Sequence, residues 1–129
     1  MEDKIAVSTD QAAGPFGGAP YSQAIVSNGF VFTAGQIGAA ADGSGLVGDG
    51  IEEQTEQVIA NLKGILEAAG SSLDAVVKTT CFLSDLANFA AFNEVYRKHF
   101  GAPFPARSAF GVSLPQGVLV EVEAIARVH

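Results

Sequence analysis

Apolar positions along this chain change period several times, and each change marks an element. Three short extended runs, Lys4 to Ser8, Ser22 to Ser27 and Phe30 to Ile37, are separated by glycine and proline. Asn28-Gly29 between the second and third is a strong hairpin signal, because both turn positions tolerate a left-handed backbone. The next stretch, Gly38 to Gly50, is rich in Gly, Ala and Asp and reads as an exposed loop. From Ile51 the spacing turns helical. Ile51, Thr55, Val58, Ile59, Leu62, Ile65, Leu66 and Ala69 make one stripe ending at Gly70, and Asp49-Gly50-Ile51-Glu52 has the spacing of a capping box. Glu52, Glu53, Glu56 and Lys63 fall on the opposite, polar side, with the acids near the positive end of the helix dipole.

Val76 to Leu83 is β-branched and apolar. Lys78, Thr80 and Phe82 alternate with Val77, Thr79, Cys81 and Leu83, which predicts a well-paired strand. Asp85 is placed to cap a second helix carrying Leu86, Phe89, Phe92, Tyr96 and Phe100 at intervals of three or four, and Pro103 and Pro105 end it. Two further extended segments, Arg107 to Ser113 and Val118 to Arg127, flank a turn at Leu114-Pro115-Gln116-Gly117. Strands, helix, strand, helix, strands is the order of an α+β domain in which two helices cover one face of a mixed or mostly antiparallel sheet. The 129 residues fit one domain, 1–129, able to bury a core without disulfide or metal.

Composition narrows the function. Apolar residues make up 48% of the chain against 16% charged, a balance that suits a subunit burying surface against copies of itself. Fourteen acidic against seven basic residues give a formal charge of −7, which opposes binding to phosphate backbones, so no nucleic acid is expected. Cys81 is the only cysteine and reads as a small core residue, and with just His99 and His129 there is no clustered Cys/His pattern for a metal. No run approaches the roughly 18 apolar residues of a membrane span, and no basic segment leads into an apolar one at the start. The cytoplasm is the expected location, with no membrane partner.

Charge enters where packing does not explain it. In the last strand a period of two puts Leu119, Glu121, Glu123, Ile125 and Arg127 on one face, and Val118, Val120, Val122, Ala124 and Ala126 on the other, the core face. Both glutamates fit a solvated open face, but Leu119 and Ile125 suggest that the face is covered, for instance by another subunit. A covered carboxylate needs a partner. Arg107, in Pro105-Ala106-Arg107-Ser108-Ala109, is a candidate for it. It reads either as a surface or structural ion-pair cation or as a clamp for a substrate carboxylate, with small neighbours leaving room for the ligand. The glycine-rich segments Gly14 to Gly18 and Gly43 to Gly45 lack the context of a phosphate loop, and nothing supports a Ser-His-Asp or Cys-His nucleophile.

The ordered series Ala19-Pro20-Tyr21-Ser22-Gln23-Ala24, Gly35-Gln36-Ile37, Asn61-Leu62, Leu66-Glu67-Ala68-Ala69-Gly70, Val77-Lys78-Thr79-Thr80, Asn93-Glu94-Val95-Tyr96, Pro105-Ala106-Arg107-Ser108, Leu114-Pro115 and Val120 to Ala126 resembles the RidA family, also called YjgF, the reactive intermediate deaminases. The resemblance runs from about Ala19 to Ala126. It implies a chorismate-mutase-like subunit in a homotrimer with sites in the clefts between subunits. It also implies hydrolysis of 2-imino acids, 2-iminobutanoate and 2-iminopropanoate, to 2-oxo acids and ammonia without metal or cofactor, which protects pyridoxal-phosphate enzymes from damage.

Carried over by position, the resemblance makes Arg107 the holder of the substrate carboxylate, with the backbone N–H of Ala109 as a second donor, and Glu121 the acid that positions water. Tyr21, Gly35 and Asn93 become pocket residues, Pro115 a pocket edge, and Glu123 a structural residue. The chain departs from the pattern at Ala109, where bacterial members often have cysteine, and at Ala34, where serine is common. The rival expectations are an endoribonuclease or translation inhibitor, a non-catalytic small-carboxylate sensor, and a chaperone-like trimer.

Overall fold

The computed structural model describes residues 3–129. Its strands are β1 (Ile5–Val7), β2 (Ala24–Ser27), β3 (Phe30–Thr33), β4 (Gln36–Ile37), β5 (Val76–Leu83), β6 (Ala106–Gly111) and β7 (Val120–Arg127), and its helices are α1 (Ile51–Ala68) and α2 (Phe89–His99). They form one mixed sheet in the order β1-β2-β3-β7-β5-β6, with β4 also pairing β7. All pairs are antiparallel except β5 with β6. This is the α+β domain the sequence predicts.

Both helices lie on one face for a topological reason. β4 and β5 each run antiparallel to β7 and so parallel to one another, and β6 continues parallel to β5. The chain therefore makes two crossovers, through α1 and then α2, that step across the sheet in the same direction. A right-handed crossover places each helix on the same side. There Val58, Leu62, Ile65 and Leu66 of α1 and Phe92 of α2 meet Val31, Cys81, Leu83, Val120 and Ala126 of the sheet, all fully buried.

Several local expectations shift. At the Asn28-Gly29 turn both residues are left-handed (φ 53° and 84°), as expected of that hairpin. The extended run from Phe30 to Ile37, however, is broken. Phe32 pairs with Ile125 and Gln36 with Val122, so the β3–β4 edge carries one residue more than β7 between those pairs, a bulge that contains Ala34 and Gly35. The Gly38 to Gly50 loop is not wholly exposed: Ala39 is buried and bridges to Leu46, and Gly38 lies against the backbone of Gln54 so closely that no Cβ fits.

The first helix caps one residue later than the expected box. Gly50 is the N-cap, and its N–H donates to the Glu53 carboxylate at 2.7 Å, because Gly50 has no side chain to complete the other half. Asp85 caps a short 3-10 turn, Leu86–Asn88, that leads into α2 rather than α2 itself. Val77 is displaced at a register shift between Val76 and Lys78 and stands exposed, not on the buried side with Thr79. Buried polar side chains pin the loops: Gln54 bonds to Gly48, Gly117 and Leu119, and Asn61 to the carbonyls of Ile37 and Ala39.

Candidate active site

Pairing registers decide which way each candidate residue points, since directly opposed residues share a face. Arg107 on β6 faces Thr79 on β5, which is buried under α2, so its side chain lies on the helix side. Glu121 on β7 faces Phe82 on β5 and Ile37 on β4, on the other, uncovered side. The two charges sit on opposite faces of the sheet. They are also offset by three residues and two strand spacings, roughly 14 Å between backbones. The ion pair entertained from sequence does not form.

On the helix side, Arg107 extends over α2. Its Nη1 donates to Asn93 Oδ1 at 2.8 Å. The guanidinium carbon lies 4.9 Å from the ring centre of Tyr96, 5.4 Å from Phe89 and 5.9 Å from Phe92. Ring faces attract a cation without consuming its hydrogen-bond donors. Among the described residues no carboxylate pairs with Arg107; the ion pairs join Arg97 to Glu94, and Lys98 and His99 to Glu56. The guanidinium borders a cavity of about 260 Å³ with Asn93, Tyr96, Arg97, Phe104 and Pro105. A larger one of about 910 Å³ shares Phe104 and Pro105 but is lined mainly by the 73–77 and C-terminal segments, away from the candidate residues.

Ala109 belongs to the Arg107 group. It lies two residues further along the same edge strand and on the same face. Just past β6, the Val112 N–H points inward to Leu83 O at 3.0 Å. Strand alternation then turns the Ala109 N–H outward from the sheet edge, where it is open to a ligand.

Glu121 sits in an unusual row. Across the sheet its neighbours are Ile37, Phe82 and, beyond, Phe110, whose ring stacks on Phe82 with centres 6.3 Å apart. That burial pushes the Glu121 carboxyl above its ordinary range, and the charge of Glu123, two residues on, pushes it further the same way. Glu123 is exposed, and its like charge acts on Glu121. Gly35 lies directly beneath: a Cβ there would overlap the Glu121 carboxylate. Tyr21 is half-exposed and lies two residues before Gln23, whose carbonyl accepts from the N–H of Ala34 in the bulge at 2.8 Å. Pro115 opens the turn ahead of β7, and its carbonyl accepts from the Val118 N–H at 3.0 Å.

Each chain therefore carries two separate groups: Arg107, Asn93 and Ala109, and Glu121 with Gly35. The sequence pattern gives Phe89, Phe92 and Tyr96 as a helix stripe with no link to Arg107, and it does not single out Phe104 or Arg97, which line the cavity beside the guanidinium. Their signal was present in the placement of Asn93 inside the aromatic repeat, one helix ahead of the arginine strand. Cys81 is buried as expected, and burial raises its thiol to about 11, so it is unreactive at neutral pH. Among the described residues no three His, Cys, Asp or Glu converge to hold a metal ion.

Fold and charges together describe a small α+β protein that presents an uncompensated guanidinium on an aromatic shelf at one place and a desolvated carboxylate at another. The family model described as Endoribonuclease L-PSP matches residues 12–128, and the chain belongs to that family. It is 51% identical over 124 residues to a RutC family protein of Pyrococcus abyssi, covering 95% of this chain and 96% of the relative. It is 41% identical to the human protein named 2-iminobutanoate/2-iminopropanoate deaminase, covering 93% of this chain and 87% of that one. Among solved structures, Escherichia coli TdcF with bound serine superposes with a TM-score of 0.87 at 36% identity, covering 97% of this chain and 99% of that one. No helix among the described residues is long and apolar enough to cross a membrane.

Proposed function

We propose that the protein hydrolyses small 2-imino acids, 2-iminobutanoate and 2-iminopropanoate, to 2-oxo acids and ammonia in the cytoplasm, at sites shared between copies of the chain in a homotrimer. The observation that carries this reading is Arg107, a cation held on rings and an amide with no carboxylate of the described chain to neutralise it. A planar guanidinium so held suits bidentate binding of a substrate carboxylate. The name of the human relative points to imine substrates, and the serine in the TdcF structure to small ligands of amino-acid size.

A second copy completes the site because one chain holds its halves apart. The uncovered sheet face carries Phe32, 44% exposed, and Phe110, 50% exposed, rings that a neighbouring chain would remove from water. Covering it with a neighbour buries these rings. It also brings the Glu121 cluster of one chain to the edge strand that bears Arg107 in the next.

Arg107 and the Ala109 N–H hold the carboxylate of the imine. Glu121 takes a proton from water as the oxygen bonds to the imine carbon, and the nitrogen gains a proton, giving a carbinolamine. The hydroxyl then gives its proton to Glu121, the amino nitrogen takes up one in its place, the carbon–nitrogen bond breaks and ammonia leaves, with the 2-oxo acid as product. General-base assistance of this kind contributes typically about 10²–10⁴-fold. Removing imines as they form would protect pyridoxal-phosphate enzymes from them.

The test is release of 2-oxo acid from freshly generated 2-iminobutanoate. Arg107→Ala is expected to lose about a hundredfold or more in kcat/KM, the worth of two charge-assisted hydrogen bonds, with an unchanged circular dichroism spectrum. Turnover equal to that of the parent would sink the proposal. The family description also invites a ribonuclease reading, which the charge of −7 opposes. RNA cleavage by nuclease-free protein that disappears in Arg107→Ala would favour it instead.

A further inference from the structure

Four side chains of α2 surround the Arg107 guanidinium, Asn93, Tyr96, Phe89 and Phe92, and one of them is fastened to the sheet directly beneath it. Asn93 accepts from Nη1, and Tyr96, three residues on, places its ring nearest the guanidinium at 4.9 Å. The Tyr96 hydroxyl shares a 2.8 Å hydrogen bond with Thr79 Oγ1. Thr79 is fully buried and is the residue opposite Arg107 in the β5–β6 register. The ring is therefore tied to the same rung of the sheet that carries the arginine.

We propose that Tyr96 is a positioning residue that pre-sets the Arg107 guanidinium for a substrate carboxylate. This rests on reading Arg107 as the carboxylate clamp. An acidic partner would also fix the guanidinium, but it would occupy the donors and cancel the charge that the substrate needs. A ring leaves all five N–H groups unspent, and only Asn93 takes one of them. Holding a long flexible side chain in its bound orientation lowers the entropy lost when ligand arrives. The Thr79 bond keeps the ring itself from swinging away, a task that Phe at position 96 would leave to packing alone.

The test uses 2-oxobutanoate, the stable product, as a carboxylate probe beside the imine assay. Tyr96→Leu is expected to weaken 2-oxobutanoate binding and raise KM about tenfold, the worth of a partly desolvated cation–π contact, with a smaller change in kcat. Tyr96→Phe keeps the ring and is expected to cost about two- to threefold. Phe100→Leu serves as the structural control. Its ring packs on Tyr96 with centres 4.4 Å apart and has no contact with Arg107, so it should lower the melting temperature without moving the probe affinity.

A second readout does not depend on the activity: the side-chain nitrogen signals of Arg107 in an NMR spectrum, which sharpen into separate resonances when rotation is restricted. They should merge in Tyr96→Leu. Unchanged signals in that variant, or probe binding equal to the parent's, would overturn the positioning role even if Arg107→Ala abolishes turnover. Loss of the restricted signals in Tyr96→Leu, when the parent protein itself neither binds the probe nor hydrolyses imines, would uphold the positioning and overturn the clamp. If Tyr96→Leu does not fold, Tyr96→Phe carries both readouts.

Discussion

The two charged clusters solve opposite problems. Arg107 is exposed, and its surroundings hold the cation in place: rings below it, an amide beside it, no carboxylate of the described chain to quench it. Glu121 is placed where charge is least welcome, between Ile37 and Phe82 and two residues from another acid. On the proposed reading, one cluster presents a charge to a ligand and the other holds a carboxylate that accepts a proton. The placement of Glu121 is not what stability alone selects, because burial disfavours a charge that nothing compensates. The difference is the one the proposed function requires: a cation left open to a ligand, and an acid held on a face that a second copy of the chain would cover.

The sharpest way to break this contrast is Glu121→Gln. In the imine assay it is expected to lose about 10²–10⁴-fold in rate while binding 2-oxobutanoate normally, since the clamp is untouched. Full activity would move the base elsewhere. The same substitution tests the shared site when combined with Arg107→Ala. If each site takes Arg107 from one chain and Glu121 from a neighbour, mixed assemblies of the two inactive chains should regain activity at roughly a quarter of their sites. If both residues act within one chain, mixing should restore nothing. The pH profile follows from the same cause: a carboxyl raised by burial must lose its proton to act as base, so kcat/KM should fall toward acid from a pH above the usual carboxylate range.

Gly35→Ala is the next step down. Its Cβ would collide with the Glu121 carboxylate, so the acid must swing aside while Arg107 remains as it was. Misplacing a catalytic group by about 1 Å costs on the order of a hundredfold. The expected result is a fall of about 10–100-fold in kcat with little change in the affinity for 2-oxobutanoate. A variant that loses affinity and rate together would mean that the two clusters are not separable.

Much of this was legible in the sequence. Period and turn chemistry give both helices, the hairpin at Asn28-Gly29 and the two faces of β7, because those features are local. The site residues stood out because Glu121 interrupts an apolar alternation and Arg107 stands among small residues. What sequence could not supply was register. A bulge at Ala34-Gly35 splits an apparently continuous strand and puts Gly35 under Glu121; the extra residue at Val77 turns an apolar side chain outward. Both depend on which residues of a distant strand lie opposite. The same non-local fact puts Arg107 and Glu121 on opposite faces, and it turns Phe89, Phe92 and Tyr96 from a simple core stripe into a shelf.

A third charge gives the contrast its baseline. Glu56 on α1 is compensated: His99 Nε2 lies at 2.6 Å and Lys98 Nζ at 3.3 Å, both from α2, and the hydrogen bond to His99 chiefly holds its carboxyl below the ordinary range. A lowered carboxyl contributes stability above its unfolded value, lost as pH falls through the folded one. Glu56→Gln should therefore cost under about 1 kcal/mol at neutral pH, screened as exposed pairs are, and the cost should fade in acid. Glu121 must show the reverse sign. Its raised carboxyl is favoured when protonated, so Glu121→Gln should gain up to about 1 kcal/mol at neutral pH, with the gain fading in acid. Urea denaturation of both variants at neutral and acid pH measures the two differences. Imine turnover should be unchanged in Glu56→Gln. Matching signs would mean that Glu121 is an ordinary compensated surface acid, and the case for a carboxylate kept ready for water would fail with it.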